Sequence, residues 1–204
     1  MRFLAILATL LLSAATVQAA EPRPLDLGMA QIGMRLNQLR FAAFPANTKL
    51  VCGNDEPKPP GAERIPLAVV SAMAAARVDR CAIFSEDAKG QWALRPAVVA
   101  GKPVEFWFMS IEDEAGTQRI FQIVGLQPRE YFDQTAEYLV GRWGAPVQRI
   151  PHFIRWLNGT SEGQLSDDNE GAHLFLFDTK LHQLLESRAP KGKPKKDAKP
   201  PAGH

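Results

Sequence analysis

The chain has 204 residues, a net charge of +2 at pH 7, two cysteines and four histidines. Beyond the amino terminus no apolar run approaches the roughly 20 residues that span a bilayer, so no membrane-spanning helix is expected there. The histidines, His152, His173, His182 and His204, show no HxxxH, HxH or His–Cys spacing, and no metal centre or cofactor is implied.

Residues 1–19 have the three-part layout of a secretory signal. Arg2 supplies the positive start, Phe3 to Leu12 the apolar stretch, and Val17 and Ala19 the small side chains before a cut after Ala19. No cysteine stands near that cut to take a lipid anchor. The expected product is exported and periplasmic, a setting that makes nucleic acid an improbable partner. In an oxidising compartment an even cysteine count favours a disulfide, here Cys52–Cys81.

Residues 31–43 carry Ile32, Leu36 and Leu39 at helical spacing before Pro45, which predicts a helix. Lys49 to Cys52 reads as a short strand. The insertion 53–80 follows, opened by the breaker-rich run from Asp55 to Gly61 and carrying an Ala-rich helix over Leu67 to Arg77. Cys81 to Ser85 is again a strand. Val104 to Glu112 and Gln118 to Leu126 flank Glu114-Ala115-Gly116-Thr117, a hairpin pattern. A longer helix is expected from about Pro128 to Trp143, ended by Gly144-Ala145-Pro146. Strands are expected at Phe153 to Leu157, His173 to Asp178 and Leu181 to Glu186.

From Arg188 to His204 six basic residues (Arg188, Lys191, Lys193, Lys195, Lys196, Lys199) face Asp197 alone, so the rest of the chain is net acidic. The tail has too little apolar surface to offset its ordering entropy, and disorder is expected. Such a tail either makes weak contact with anionic lipids and acidic envelope polymers or serves solubility alone.

Leu139 to Pro146 (LVGRWGAP), the strand holding Trp156, an Asn/Gly/Asp-rich turn and the closing HLFLFDTKLHQLLES together resemble the SmpA/OmlA (BamE-like) module. Gly33-Met34 followed by Gln38-Leu39 resembles the start of a second copy, without a Gly before its Phe44-Pro45 exit. Two such modules in tandem look like the beta-lactamase-inhibitor-protein type of fold. The resemblance implies an α+β architecture. Two helix-plus-antiparallel-sheet repeats, 25–126 with the insertion and 127–187, would form one curved sheet with helices on one face and the basic tail behind. The missing lipid-bearing cysteine and the insertion depart from the BamE pattern.

Helices on one face would leave the other open. Val104, Phe106 and Phe108 alternate with Trp107, Met109 and Ile111, so both faces of that strand are apolar. The first set is expected in the core. Trp107, Met109 and Ile111, accompanied by Arg155, are the candidate partner-binding residues. The alternative is that the insertion helix covers that second face.

Enzyme motifs are sparse. There is no Gly-x-Ser-x-Gly elbow, and the acidic run Asp167-Asp168-Asn169-Glu170-Gly171 lacks the EF-hand pattern and reads as a solvated turn. Asn158-Gly159-Thr160 matches a glycosylation sequon but reads better as a tight turn. The leading expectation is a non-enzymatic binding or scaffold protein for another envelope or secreted protein. The alternatives are an inhibitor of a periplasmic or secreted hydrolase, and an enzyme of unfamiliar type using His152 or His173 with the acidic loop.

Overall fold

The computed structural model describes residues 24–189. The expected signal segment lies outside them, as does the expected tail after Ala189. Among the described residues the architecture is α+β, with ten strands in one antiparallel sheet and four α-helices. No helix among them is long and apolar enough to cross a membrane.

The chain enters along one face of the sheet through α1 (Leu36–Arg40) and then forms β1 (Thr48–Cys52). After a 3-10 turn (Ala62–Arg64) and α2 (Ser71–Ala75) it runs through β2 (Val78–Glu86), β3 (Trp92–Leu94) and β4 (Ala97–Val99). The long hairpin β5 (Lys102–Glu112) and β6 (Gln118–Gln127) follows. Next come α3 (Phe132–Trp143), β7 (Gln148–Ile150), β8 (Phe153–Asn158), β9 (Ser161–Asp167), β10 (Ala172–Asp178) and α4 (Thr179–Arg188). The sheet order is β1-β2-β5-β6-β10-β9-β8-β7, with β3 beside β2 and β4 beside β5.

On the first face, Leu50, Phe106, Phe108, Ile123, Trp156, Leu165 and Leu176 meet Leu36 and Leu39 of α1 and Ala136 and Leu139 of α3 in one core. This confirms the inward set expected from β5. Two glycines let neighbours close in. A Cβ on Gly125 would stand 2.6 Å from the Phe106 ring, and one on Gly163 would stand 2.8 Å from the Trp143 indole. The β5–β6 turn is closed by Asp113, whose Oδ1 accepts the Ala115 and Thr117 amides at 3.0 and 2.8 Å. The expected Asn158-Gly159 turn joins β8 to β9, with Gly159 at φ 61°.

Several local expectations are corrected. Residues 31–34 are not helical, although Ile32 is buried. Gly33 donates to the Ile120 carbonyl at 2.8 Å and Met34 accepts from the Ile120 amide at 2.9 Å, so the segment hydrogen-bonds to β6 and only one turn of helix follows. The helix expected over Leu67 to Arg77 shrinks to α2. Leu67 turns under β1 and β2, Met73 packs elsewhere, and Arg77 ends the turn at φ 61°. Residues 181–186 form a helix rather than a strand. The Asp178 side chain caps it by accepting the Lys180 and Leu181 amides at 2.9 and 3.0 Å, and Leu181, Leu184 and Leu185 bury one stripe. The Asn/Gly/Asp-rich region contains a full strand, β9.

Helices therefore lie on both faces of the sheet. On the second face, α2 and α4 enclose Ala76, Val78, Met109, Ile111, Phe121 and Leu185. A register shift between Met109 and Ser110 turns Phe121 into this cluster. The insertion covers a further patch, where Val51, Ala82 and Phe84 pack with Ala62, Leu67 and Trp92.

Candidate functional site

The two coverings of the second face leave a strip between them. Cross-strand pairing places Trp107, Val124, Phe175, Gln164 and Arg155 in one transverse row over β5, β6, β10, β9 and β8. Glu105, Leu126, His173, Ser166 and Phe153 form the row beside it. All ten side chains are partly exposed. Period-two alternation on each strand sends the intervening residues into the main core, so these sets share one face by geometry.

Of the four candidate partner-binding residues, the structure brings Trp107 and Arg155 onto this strip. Met109 and Ile111 are corrected: they are 5% and 0% exposed. They share the face of Trp107, but α2 and α4 lie over them, so neither is a surface contact. Trp107 itself leans against the insertion cluster and stays half-buried. Sequence reasoning missed Val124, Phe175 and Gln164. The alternation in His173 to Phe177 was the available signal for Phe175. Gln164 sat in a segment read as a turn.

Arg155 is not a free cation. It donates Nε and Nη2 to the two oxygens of Glu162 at 2.6 and 2.7 Å. Glu162 also accepts from Gln164 Nε2 at 2.7 Å. The Arg155 hydrogen bonds hold the Glu162 carboxyl below its ordinary value against the opposing effect of burial, and the pair raises Arg155 in turn. At the α4 border, Gln122, Gln164, Phe175, Phe177 and His182 line a cavity of about 210 Å³.

The histidines expected to work with the acidic loop each meet one aspartate of it. His152 Nδ1 lies 2.8 Å from Asp167 Oδ1, and Asp167 Oδ2 accepts from Arg129 Nε at 2.5 Å. Burial pushes the Asp167 carboxyl up, but its hydrogen bonds with Arg129 and His152 outweigh that and keep it low. His152 sits at φ 66°, a left-handed conformation uncommon for a non-glycine residue. The trio borders a cleft of about 880 Å³ whose walls also include Glu130, Phe132, Asp133, Arg149 and Ile150. The carboxylates of Glu130 and Asp133 share those walls, so the arrangement sets an oriented imidazole beside acidic groups. His173 Nε2 meets Asp168 Oδ1 at 3.1 Å, and its ring stacks on Phe175.

Cys52 and Cys81 face each other across β1 and β2 and are bonded, as expected. Asp79 lies near both sulfurs, and burial raises its carboxyl above the ordinary value. With the sulfurs joined and Arg40 Nη2 3.1 Å from Cys52 Sγ, the cluster serves the base of the insertion rather than a metal. The chain matches no protein-family profile, no curated protein and no solved structure.

Proposed function

We propose that this protein is an exported periplasmic binding or scaffold protein that holds another cell-envelope protein on the open strip of its sheet, without catalysis. We read its body as two tandem SmpA/OmlA-like modules arranged in the inhibitor-protein manner. The element order supports that reading. One helix on the main-core face precedes four neighbouring antiparallel strands twice, as α1 with β1-β2-β5-β6, interrupted by α2, β3 and β4, and as α3 with the uninterrupted meander β7-β8-β9-β10, and the halves meet at β6 and β10. The observation that carries the function is the uncovered row from Trp107 to Arg155. It sets aromatic and aliphatic side chains beside a neutralised Arg155–Glu162 pair, the mixture of apolar anchors and polar rim that protein interfaces use.

The test is capture from a periplasmic extract by the immobilised chain. Phe175→Ala and Trp107→Ala should each lower capture at least tenfold while the domain stays folded. Phe106→Ala, on the opposite side of the same strand, should instead destabilise by about 3–5 kcal/mol, the range for emptying a core aromatic site. Full capture by both strip variants would refute the docking face. A captured hydrolase that loses activity in the complex would favour the inhibitor reading.

A further inference from the structure

The pairing row that holds Glu105 and Leu126 runs, at the edge of the open strip, into a groove of about 610 Å³. Pro96, Pro103 and Pro128 wall it together with Leu126, so much of its surface is apolar ring and aliphatic carbon. Glu105, Glu130 and Glu170 stand around that surface, and none of the three has a cation partner among the described residues. The basic residue among the lining groups, Arg129, is committed to Asp167 at 2.5 Å. Lys102 starts β5 nearby, but its Nζ lies over the Tyr131 ring at 4.8 Å. Glu105 is half-buried, so it carries part of the desolvation cost of an anion with no opposite charge to offset it.

A ligand for this groove needs separate cationic heads and an apolar body that lies on proline and leucine. Lysine joined to proline meets both needs, because lysine stems and pyrrolidine rings cover the apolar wall while the ammonium groups reach the carboxylates. Residues 190–204 have that composition, with five lysines against Asp197 and with Pro194, Pro200 and Pro201. The chain also departs in the right place. α4 lies on the groove's face of the sheet, and Arg188, its last residue, donates Nη1 to the Glu112 carbonyl at the far end of β5. Glu105 is seven residues back along that strand, about 23 Å at ~3.3 Å per residue. A proline-rich extended segment advances ~3.1 Å per residue, so about eight residues beyond Ala189 cover the distance. So short a tether gives an effective concentration on the order of millimolar, and contacts too weak for a separate peptide then suffice.

We propose that residues 195–201 of this chain (KKDAKPP) dock in the groove, with their lysines at the Glu105, Glu130 and Glu170 carboxylates and Pro200-Pro201 against the proline wall. The docked tail is an internal cover for this end of the strip, and any ligand that binds over Glu105 and Leu126 has to displace it. The inference stands whether or not the strip holds a protein partner, because it uses only the groove, the composition of the tail and the point where the chain leaves α4.

The experiment places a nitroxide on the 15N-labelled full chain through Ala198→Cys. The native cysteines are bonded and buried, so the label attaches at that position alone. The backbone amides of Glu105, Leu126, Glu130 and Glu170 should broaden, and should stay broadened when the labelled chain is diluted into excess unlabelled protein. Glutamine at Lys191, Lys193, Lys195, Lys196 and Lys199 should cut the broadening at least threefold, as should raising the salt from about 0.05 M to about 0.5 M. Arginine at the same five positions should retain it. Glu105→Gln/Glu130→Gln/Glu170→Gln should also cut it at least threefold while the dispersion of the spectrum is unchanged. No broadening at these amides, or broadening indifferent to the glutamine substitutions, would overturn the proposal. Broadening that vanishes on dilution would overturn it in favour of the tail of a second copy. Tail resonances lost only on adding phosphatidylglycerol vesicles, with the groove amides sharp throughout, would overturn it in favour of a lipid surface.

Discussion

The Cys52–Cys81 bridge closes a loop spanning 29 positions, and it does so where β1 and β2 meet the base of the insertion. Loop-closure entropy for that span amounts to about 3–4 kcal/mol in the chain-entropy description. The double substitution Cys52→Ala/Cys81→Ala removes the constraint without leaving a lone thiol. For a domain of this size each kcal/mol moves the melting temperature by about 2–4 °C, so a fall of about 6–16 °C is expected. Far-ultraviolet circular dichroism of both proteins at one scan rate measures it. Both cysteines are fully buried, so thiol reagents should label the reduced wild-type chain only after denaturant is added. Other contacts hold the same neck. Arg40 donates to both oxygens of Asp55 at 3.1 and 3.0 Å, and Asp55 accepts the Cys52 amide at 2.8 Å. A fall below about 2 °C would refute the entropic argument and assign the neck to these polar contacts and to the cluster around Phe84.

Gly125→Ala places a Cβ 2.6 Å from Phe106 Cε1 and 3.0 Å from Val104 Cγ1, and overpacking of this kind costs about 1–3 kcal/mol. A lowered urea midpoint is expected, and an unchanged midpoint would show that the Phe106 ring moves aside freely. Acid should unfold the domain through Glu162, Asp167, Asp113 and Asp168, whose carboxyls are all held low in the fold. A depressed folded value means their stabilisation is complete above the unfolded value of about 4 and is lost as pH falls through the folded values. Asp79 has the opposite sign, because its raised value makes protonation favour the fold. Melting temperature should therefore stay level down to about pH 5 and decline below about pH 4. Asp167→Asn should flatten part of that decline, whereas Asp79→Asn should not. An Asp167→Asn profile that overlays the wild type would show that Arg129 and His152 add nothing to acid stability.

The sheet was legible wherever a strand wrote its period into the chain. The alternation from Val104 to Ile111 identified both faces of β5, and the Asn158-Gly159 turn was readable from its dipeptide. β9 was not, because Gly163 looks like a turn residue. Only the fold shows that this glycine lies inside a strand, leaving room for the Trp143 indole. α4 was misread although Asp178 and the leucine spacing held its signature. A cap and a helical stripe directly after an apolar strand are easily taken for a hairpin return.

By itself the sequence determined which residues alternate, which two cysteines were available to pair and where the hairpin turns. These are local properties, written in side-chain period, turn chemistry and charge. It did not determine which side of the sheet is covered at each point. Trp107, Met109 and Ile111 have the same direction and similar apolarity, yet α2 and α4 bury the last two and leave the first beside an open strip. That difference depends on where helices remote in sequence come to rest. It is decided by the competition of whole apolar stripes for one sheet surface, and a short window of sequence carries no record of the winner.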